Sequence, residues 1–257
     1  TWDAGGADLT ALLCALQEVE GFSAIGKSAL EPMRAKGLIH AHVRIRGMGA
    51  VLRIPRLSSL GLEPMQNLAY QAAGFSRAEA SLRVPKLIGL IPPQKDIPWG
   101  ALIISEIVGR TPLVPETLPA IAQTLAAIHG LPVPSTHARA PVPSHDDPVA
   151  ATLDVIEAQA QFLRDAGLAP AALRQIGDEL SRARAFAGGW VGADIAVTLV
   201  GTDTHPGNFM IRADGTAFFV DLEKMLYGAP AIDLAHATVY TSTMWDADVA
   251  IALSNED

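Results

Sequence analysis

Cysteine and aromatic residues are both scarce in this 257-residue sequence, which has one cysteine, Cys14, and 5% Phe, Trp and Tyr. A single cysteine excludes an intrachain disulfide, so we expect a reducing, cytoplasmic compartment. Cys14 lies within an apolar helical pattern, and this position predicts a small core residue and not a reactive thiol.

Positive charge is also in short supply, with 19 Lys and Arg against 27 Asp and Glu and a formal net charge of −8. This balance gives no support to nucleic acid as a partner. No apolar run reaches the roughly 18 residues that a membrane-spanning helix needs. The N-terminal segment has acidic residues where a signal peptide carries basic ones. We therefore expect neither nucleic acid nor a membrane as a partner, and the sequence does not reveal the oligomeric state.

The charge is unevenly distributed along the chain. Residues 1–100 hold 11 basic and 8 acidic side chains, a net charge of +3, whereas residues 101–257 hold 8 and 19, a net charge of −11. A cleft between two such regions would take an anion on one side and a cation on the other. Solvated acidic helices explain most of these charges equally well.

Hydrophobic residues, in contrast, are abundant: at 49%, with a mean hydropathy of +0.26, they predict a folded chain with a sizeable core. The periodicity of the first part predicts a helix at 8–20, a hairpin at 39–54, a helix at 60–74 and strands within 83–92 and 100–108. The second part reads as helices at 117–129, 149–165, 171–187 and from 231, interrupted by a strand at 195–200 and a hairpin at 209–220. This order predicts an α+β fold with two lobes, a sheet-rich lobe of residues 1–105 and a helical lobe of residues 106–257.

Polar side chains cluster where the helical part is interrupted, in the stretch GTDTHPGNFM at 201–210. Asp203 precedes Asn208 by five residues, and Asp221 follows Asn208 by thirteen, across an Asp-Gly turn. If the two strands of this hairpin pair, Asn208 and Asp221 leave it at the same end. Carboxylate and amide oxygens suit a hard cation such as magnesium, and a free carboxylate can accept a proton from a hydroxyl. The pattern therefore indicates phosphoryl transfer.

The same residues resemble the aminoglycoside phosphotransferase and choline kinase family, which has a protein-kinase-like fold. Three spaced elements agree in order with the family's motifs: the catalytic loop, the metal-binding loop and the start of the following helix. The matching positions are Asp203, His205, Pro206, Asn208, Asp221, Glu223, Gly228, Pro230, Asp233, Leu234 and Ala235.

The resemblance implies a role for each acidic or amide position. Asp203 would be the catalytic base, and Asn208 and Asp221 would hold Mg²⁺ on the phosphates of ATP. Glu223 would assist the metal or face the acceptor, and Asp233 would fix the catalytic loop. His205 is expected to brace the same loop.

The sheet-rich lobe departs from the family pattern. The phosphate-binding lysine is expected on the strand that carries Arg53, with Arg56 as the alternate, and Arg offers a planar fork where Lys offers a point charge. The partner acid on the next helix falls in a window that holds Gln71, since Glu63 comes early. Gly37 is expected at the tip of the turn that covers the phosphates.

The segment after the last strand of this lobe resembles the family's hinge, which predicts adenine binding by the backbone of Ser105, Glu106, Ile107 and Val108. On the hairpin, His40 and His42 point to the same face, where they either pack or line the nucleotide cleft. The family's first catalytic-loop histidine is replaced by Gly201, which weakens the loop's scaffold but removes no chemical group.

These observations predict an ATP-dependent phosphotransferase that moves the γ-phosphoryl group to a hydroxyl of a small molecule, with GTP as a possible alternative donor. The acceptor is expected between residues 131–190 and the catalytic loop, where acidic charge favours a cationic molecule and few aromatic residues argue against an aromatic cage. The sequence ends within the apparent start of a helix, so either the chain is short for this family or acceptor-lobe residues lie beyond it.

Two alternatives remain open from the residues themselves. The Arg, Gln and Gly replacements favour a kinase-like protein that binds a nucleotide or a partner without turnover, although the clustered acids argue against it because crowded carboxylates need a cation. More remotely, Asp203 and His205 with Asp221 and His236 would make a metal-dependent hydrolase.

Overall fold

The computed structural model describes residues 8–34, 39–145, 147–190, 196–244, 246–249 and 251–253. Its first part is a five-stranded antiparallel sheet of strand order β1-β2-β3-β5-β4, flanked by two helices. The elements are α1 (Leu9–Gln17), β1 (Leu30–Pro32), β2 (His40–Ile45), β3 (Ala50–Pro55), α2 (Pro64–Ala78), β4 (Leu87–Ile91) and β5 (Ala101–Ser105).

The β2–β3 hairpin forms where the sequence predicts it. Gly47 and Gly49 both have positive φ angles, 77° and 58°, which glycine adopts without steric cost, so the chain can reverse there. The register pairs His42 with Arg53. Because side chains alternate along a strand, both of these residues lie on the same face of the sheet.

The other face of this sheet is apolar and packs against α1. Leu12 and Leu16, one helical turn apart, are fully buried against it. Asp8 caps α1 by accepting hydrogen bonds from the amides of Thr10 and Ala11. The prediction for Cys14 is wrong: it is exposed, because two residues after Leu12 the helix turns it away from the sheet.

The second part of the chain is mostly helical. Its elements are α3 (Leu118–His129), α4 (Pro148–Ala160), α5 (Pro170–Gly189), β6 (Thr198–Val200), β7 (Phe209–Ile211), β8 (Ala217–Phe219), β9 (Leu226–Gly228), α6 (Ala231–Thr238) and α7 (Tyr240–Thr243). Strand β6 pairs with β9, and β7 pairs with β8, both antiparallel. The three-residue strands β1 and β9 were not predicted, since they are too short to show a periodicity.

One hydrophobic core joins the two parts. It combines Val51 and Leu102 from the sheet with Phe75 from α2, Leu125 from α3 and Phe219 from β8. A sheet-rich first part and a mostly helical second part confirm the α+β prediction. The boundary between residues 105 and 106 stays a prediction. In the described ranges, no helix has the length and apolar character to cross a membrane.

Candidate active site

The loop between β6 and β7 is held in place by Asp233 at the start of α6. This carboxylate is fully buried (0% exposed) and accepts hydrogen bonds from the backbone amides of Gly201, at 2.9 Å, and Thr202, at 2.7 Å. The Thr204 hydroxyl donates to the carbonyl oxygen of Asp233 at 2.7 Å, and His129 Nε2 lies 2.9 Å from its carboxylate. Asp233 therefore contacts the loop through its side chain and its backbone, and the loop-fixing role that the resemblance implies stays a prediction.

The packing around Gly201 leaves no space for the histidine side chain that the family motif has at this position. A Cβ atom there would lie 2.8 Å from Cε1 of Phe219 and 2.9 Å from the methyl group of Thr204. Both neighbours are fully buried. The next residue, Thr202, has a positive φ angle of 56°, which a β-branched residue rarely adopts. The loop is therefore packed tightly, with Phe219 in the space that a side chain at position 201 would need.

Asn208 and Asp221 leave the β7–β8 hairpin at the same end. Phe209 pairs with Phe219, and one step further the amide of Val220 donates to the carbonyl oxygen of Asn208 at 2.9 Å. The Asn208 side chain turns back and donates from Nδ2 to the carbonyl oxygen of Asp203 at 2.8 Å. Asn208 thus contacts the backbone of both Asp203 and Val220, and the convergence of the three side chains on one metal-bound triphosphate stays a prediction.

A continuous chain of charged side chains links the catalytic loop to the sheet. Lys224 Nζ lies 2.6 Å from Asp203 Oδ2 and 3.8 Å from Glu223 Oε1. On the other side of Glu223, Arg53 Nη2 is 3.9 Å from Oε2, and the same nitrogen donates to Asp221 Oδ1. Two cations therefore alternate with three carboxylates in one cluster.

Burial and charge set the protonation of these carboxylates. Burial alone would raise the pKa of Asp221, but the adjacent Arg53 guanidinium outweighs it and lowers the pKa to about 2. Burial, reinforced by the charge of Asp221, raises the pKa of Glu223 to about 7. Burial opposes the charge of Lys224, yet its hydrogen bond to Asp203 raises the pKa of the ammonium group. Asp221 therefore stays ionised.

Arg53 lies on β3 with its side chain only 2% exposed. Its Nη2 is 3.1 Å from His40 Nδ1, and its Nη1 is 3.5 Å from His42 Nε2. Burial and the positive charge of Arg53 lower the pKa of each histidine to about 3, so both rings are neutral. Gln71, on α2, contacts His40: its Oε1 is 3.1 Å from His40 Nε2, and the hydrogen bonds of the described residues include none between Gln71 and Arg53.

The predicted hinge consists of Ser105, the last residue of β5, and the three residues that follow it. The Glu106 amide donates to the Gly49 carbonyl oxygen at 2.7 Å, and Arg44 Nε lies 2.6 Å from Glu106 Oε1, which ties the hinge to the β2–β3 hairpin. The segment also borders a cavity of about 390 Å³. Neither Arg53 nor the acidic cluster is among the residues that line that cavity. Its lining comprises Glu79, Leu82, Val84, Lys86, Ser105, Glu106, Ile107, Val108, Arg212 and Phe218.

The chain matches a known protein family over most of its length. The model of the APH phosphotransferase enzyme family matches residues 35–256. The chain belongs to this family. It is therefore a phosphotransferase that acts on a hydroxyl group of a small molecule. No curated protein sequence matches this APH-family chain.

Solved structures share the fold of the APH-family chain at low sequence identity. One is the GDP and kanamycin complex of APH(2")-IIia, with a TM-score of 0.63, 16% identity, and coverage of 93% of this chain and 78% of that one. Another is aminoglycoside phosphotransferase APH(3'')-Id from Streptomyces rimosus, with a TM-score of 0.57, 19% identity, and coverage of 97% and 94%. A third, a putative aminoglycoside phosphotransferase from Ralstonia eutropha JMP134, has a TM-score of 0.59, 18% identity, and coverage of 91% and 70%. These matches confirm the two-lobed, protein-kinase-like fold.

The remaining predicted residues take different positions in this APH-family site. His205 is buried, its ring centroid is 6.5 Å from that of His236, and burial lowers the pKa of its imidazole. His236 Nε2 is 4.0 Å from Asp203 Oδ1. The metal-capable group that the described part of the chain presents is a different one, His40 with Asp221 and Glu223, whose ligand atoms lie within 4.8 Å of one another. This arrangement does not favour the hydrolase alternative. Gly37 lies outside the described residues.

Two contacts of the APH-family site were missed in the sequence. The first is the contact of Lys224 with Asp203. Lys224 directly follows Asp221, Leu222 and Glu223, and a lysine next to two acids was the sequence signal that could have indicated an ion pair in the site. Arg44 lies on the same face of β2 as His42, two residues further on, but nothing in the sequence indicated its contact with Glu106.

Proposed function

We propose that this phosphotransferase moves the γ-phosphoryl group of ATP to a hydroxyl group of a small, cationic acceptor. The observation that carries the proposal is the charged cluster, in which Asp203, Asn208 and Asp221 converge beside the buried Arg53. Positioning and charge neutralisation supply most of the catalysis in phosphoryl transfer. A site with ionised carboxylates, an amide and a fixed cation supplies both.

The residues at the hairpin end fit a magnesium ion. Asp221 is held ionised, and its Oδ2 is not the oxygen that Arg53 contacts. The amide nitrogen of Asn208 donates a hydrogen bond to the backbone carbonyl oxygen of Asp203. Among the described residues, no donor reaches the amide oxygen of Asn208. Oxygen donors of this kind are what Mg²⁺ prefers. When bound there by Asn208 and Asp221, the ion would neutralise negative charge on the triphosphate.

Asp203 is the proposed base. The acceptor hydroxyl attacks the γ-phosphorus, its proton passes to the Asp203 carboxylate, and the bond from the γ-phosphorus to the bridging oxygen of ADP breaks. Lys224 holds Oδ2 of this carboxylate at 2.6 Å, so Oδ1 is the oxygen left to face the acceptor. The ammonium group fixes the orientation of the base.

Arg53 is the proposed phosphate ligand of the sheet-rich lobe. All nitrogens of a guanidinium are donors, and its charge is permanent. In the structure it contacts Asp221, and this places the cation beside the residue that would hold the metal. Arg53 therefore substitutes for the lysine of the family pattern in charge, although not in shape.

The backbone of the hinge is the proposed site of the purine base. The amide of Glu106 is already bonded to Gly49, which leaves the backbone groups of Ile107 and Val108 for the base edge. Val108 is largely exposed, at 77%. The Glu106 carboxylate also belongs to the predicted hinge, where it forms an ion pair with Arg44. Whether this hinge prefers adenine or guanine is decided by comparing ATP with GTP as donors.

The acceptor is proposed to lie against the helical part, between the catalytic loop and the segment formed by α4 and α5. The acidic excess of residues 101–257, 19 Asp and Glu against 8 Lys and Arg, supports a cationic acceptor such as an aminoglycoside or an amino alcohol. The solved structure of APH(2")-IIia holds kanamycin, an observation about that protein that motivates the choice of acceptors to test.

The test is a phosphotransfer screen of the purified protein with ATP and GTP over aminoglycosides, amino alcohols and sugars. Asp221→Asn is expected to abolish magnesium-dependent stabilisation by the nucleotide in a thermal-shift measurement. Asp203→Asn is expected to keep that stabilisation and lose turnover. The matched control is Asp214→Asn, at the opposite, exposed end of the same hairpin. Wild-type rates in both active-site variants would overturn the site assignment.

A further inference from the structure

A histidine connects Arg53 on the sheet to Gln71 on α2 through hydrogen bonds. His40 lies on β2 and is only 4% exposed, with its ring between the side chains of Arg53 and Gln71. The described residues provide no direct hydrogen bond between Gln71 and Arg53. Any influence of α2 on the guanidinium through side-chain hydrogen bonds therefore passes through His40.

The partners of the ring determine which nitrogen carries its proton. Arg53 Nη2 can only donate, so His40 Nδ1, 3.1 Å away, must accept. The proton then lies on Nε2, which donates to Gln71 Oε1 at 3.1 Å. Glu223 Oε2 is also 3.0 Å from Nδ1, but it makes no hydrogen bond of acceptable geometry. The two hydrogen bonds of the ring thus require the same neutral tautomer.

We propose that His40 is a positioning residue that couples α2 to Arg53, through Gln71, in place of a direct contact between a helix acid and the phosphate-binding side chain. The proposal rests on the role of Arg53 under the proposed function. Because Gln71 carries no charge, a neutral ring that accepts on one side and donates on the other is needed to transmit its orientation to the guanidinium.

His42 provides a matched control within the same strand. It lies on the same face of β2, and its Nε2 is 3.5 Å from Arg53 Nη1, but the described contacts do not include one between its side chain and α2. If the coupling to α2 is what matters, replacing His42 should leave the effect of Gln71 intact, whereas replacing His40 should remove it.

The first experiment is a double-mutant cycle on the phosphotransfer reaction. Gln71→Ala is expected to raise the KM for the nucleotide and lower kcat by about 10-fold in total, with the acceptor KM unchanged. In a His40→Leu background the same substitution should have no further effect, and in a His42→Gln background it should keep its full effect. An equal effect of Gln71→Ala in all three backgrounds would overturn the proposal. If His40→Leu does not fold, His40→Phe replaces it, because that side chain keeps a ring but has no nitrogen to accept from Arg53 or donate to Gln71.

The second experiment does not depend on activity. Side-chain ¹⁵N NMR of the nucleotide-free protein should show the proton of His40 on Nε2, and Gln71→Ala should shift the guanidinium signals of Arg53. A proton on Nδ1, or Arg53 signals that do not respond to Gln71→Ala, would contradict the coupling. If the wild-type protein turns over no nucleotide, the proposed function fails, and the NMR result still decides this inference.

Discussion

The two halves of the site are assembled from different kinds of contact. In the helical part, Asp203, Asn208 and Asp221 lie within one short stretch of chain, around a single hairpin. Arg53, on the sheet, contacts Asp221, which is 168 residues away along the chain. Gln71, on α2, contacts His40, which is 31 residues away and in turn contacts Arg53. By the family resemblance, the local half has the expected acids and amide, whereas the distant half has Arg53 and Gln71 where a lysine and an acid are expected.

Chemistry explains this difference. Magnesium prefers oxygen ligands, and a proton acceptor must lie at a fixed position beside the hydroxyl, so the hairpin half tolerates few residue types. The sheet half must supply only a positive charge that faces phosphates, which either Arg or Lys can provide. Its supporting contacts, here His40 and Gln71, can change together without altering that charge. Substitutions should therefore have steeper effects in the hairpin half.

The largest effect is expected for Asp203→Asn. The amide keeps the shape of the side chain but cannot accept the hydroxyl proton, so kcat should fall about 1000-fold. Magnesium-dependent nucleotide binding should stay within a few-fold of wild type, which isothermal titration calorimetry measures. A similar loss in Asp214→Asn, at the exposed turn of the hairpin, would show that the effect is not specific to the catalytic loop.

The next largest effect tests whether the hairpin half depends on its buried anchor. Asp233→Ala leaves the amides of Gly201 and Thr202 without their acceptor in a fully buried position. We expect a loss of about 3 kcal/mol in the free energy of unfolding, measured with urea. Asp214→Ala should change this free energy by less than about 0.5 kcal/mol. Equal losses in the two variants would mean that the loop does not need its buried carboxylate.

A smaller effect is expected where the hairpin half itself departs from the family. Gly201→Ala places a Cβ atom 2.8 Å from the Phe219 ring, which is fully buried and cannot move freely. Overpacking of this kind should cost about 2 kcal/mol of unfolding free energy. Gly26→Ala, whose Cβ meets nothing and whose φ is −97°, is the control for the same substitution without the collision. A Gly201→Ala variant as stable as wild type would remove the packing explanation for the lost histidine.

The same division governs how much the sequence could predict. The β2–β3 and β7–β8 hairpins and the convergence of Asn208 and Asp221 were predictable, because a turn signal and a residue spacing determine them locally. The anchoring role of Asp233 could be inferred only through the family resemblance, because 32 residues separate it from Gly201.

Contacts between distant parts of the chain were not predictable. His40 was open between packing and lining the cleft, and no spacing in the sequence indicates that its ring joins Gln71 to Arg53. The contact between Lys224 and Asp203 depends on how two loops meet after β6 and β9 pair. Cys14 was placed on the wrong face of α1 because the pattern around it is apolar on more than one side.

The smallest effect is expected in the sheet half, for Arg53→Lys. Lysine keeps the positive charge that the phosphates require, but it loses the fork that meets His42 with one nitrogen and His40 and Asp221 with the other, so kcat/KM should fall by only about 10-fold. Arg53→Leu removes the charge and should cost about 100-fold or more, since a fixed donor to the transferring group is lost. Steady-state kinetics with ATP as the varied substrate distinguishes the two variants. If Arg53→Lys were as damaging as Arg53→Leu, the sheet half would depend on its exact residue as strictly as the hairpin half does, and the contrast between them would fail.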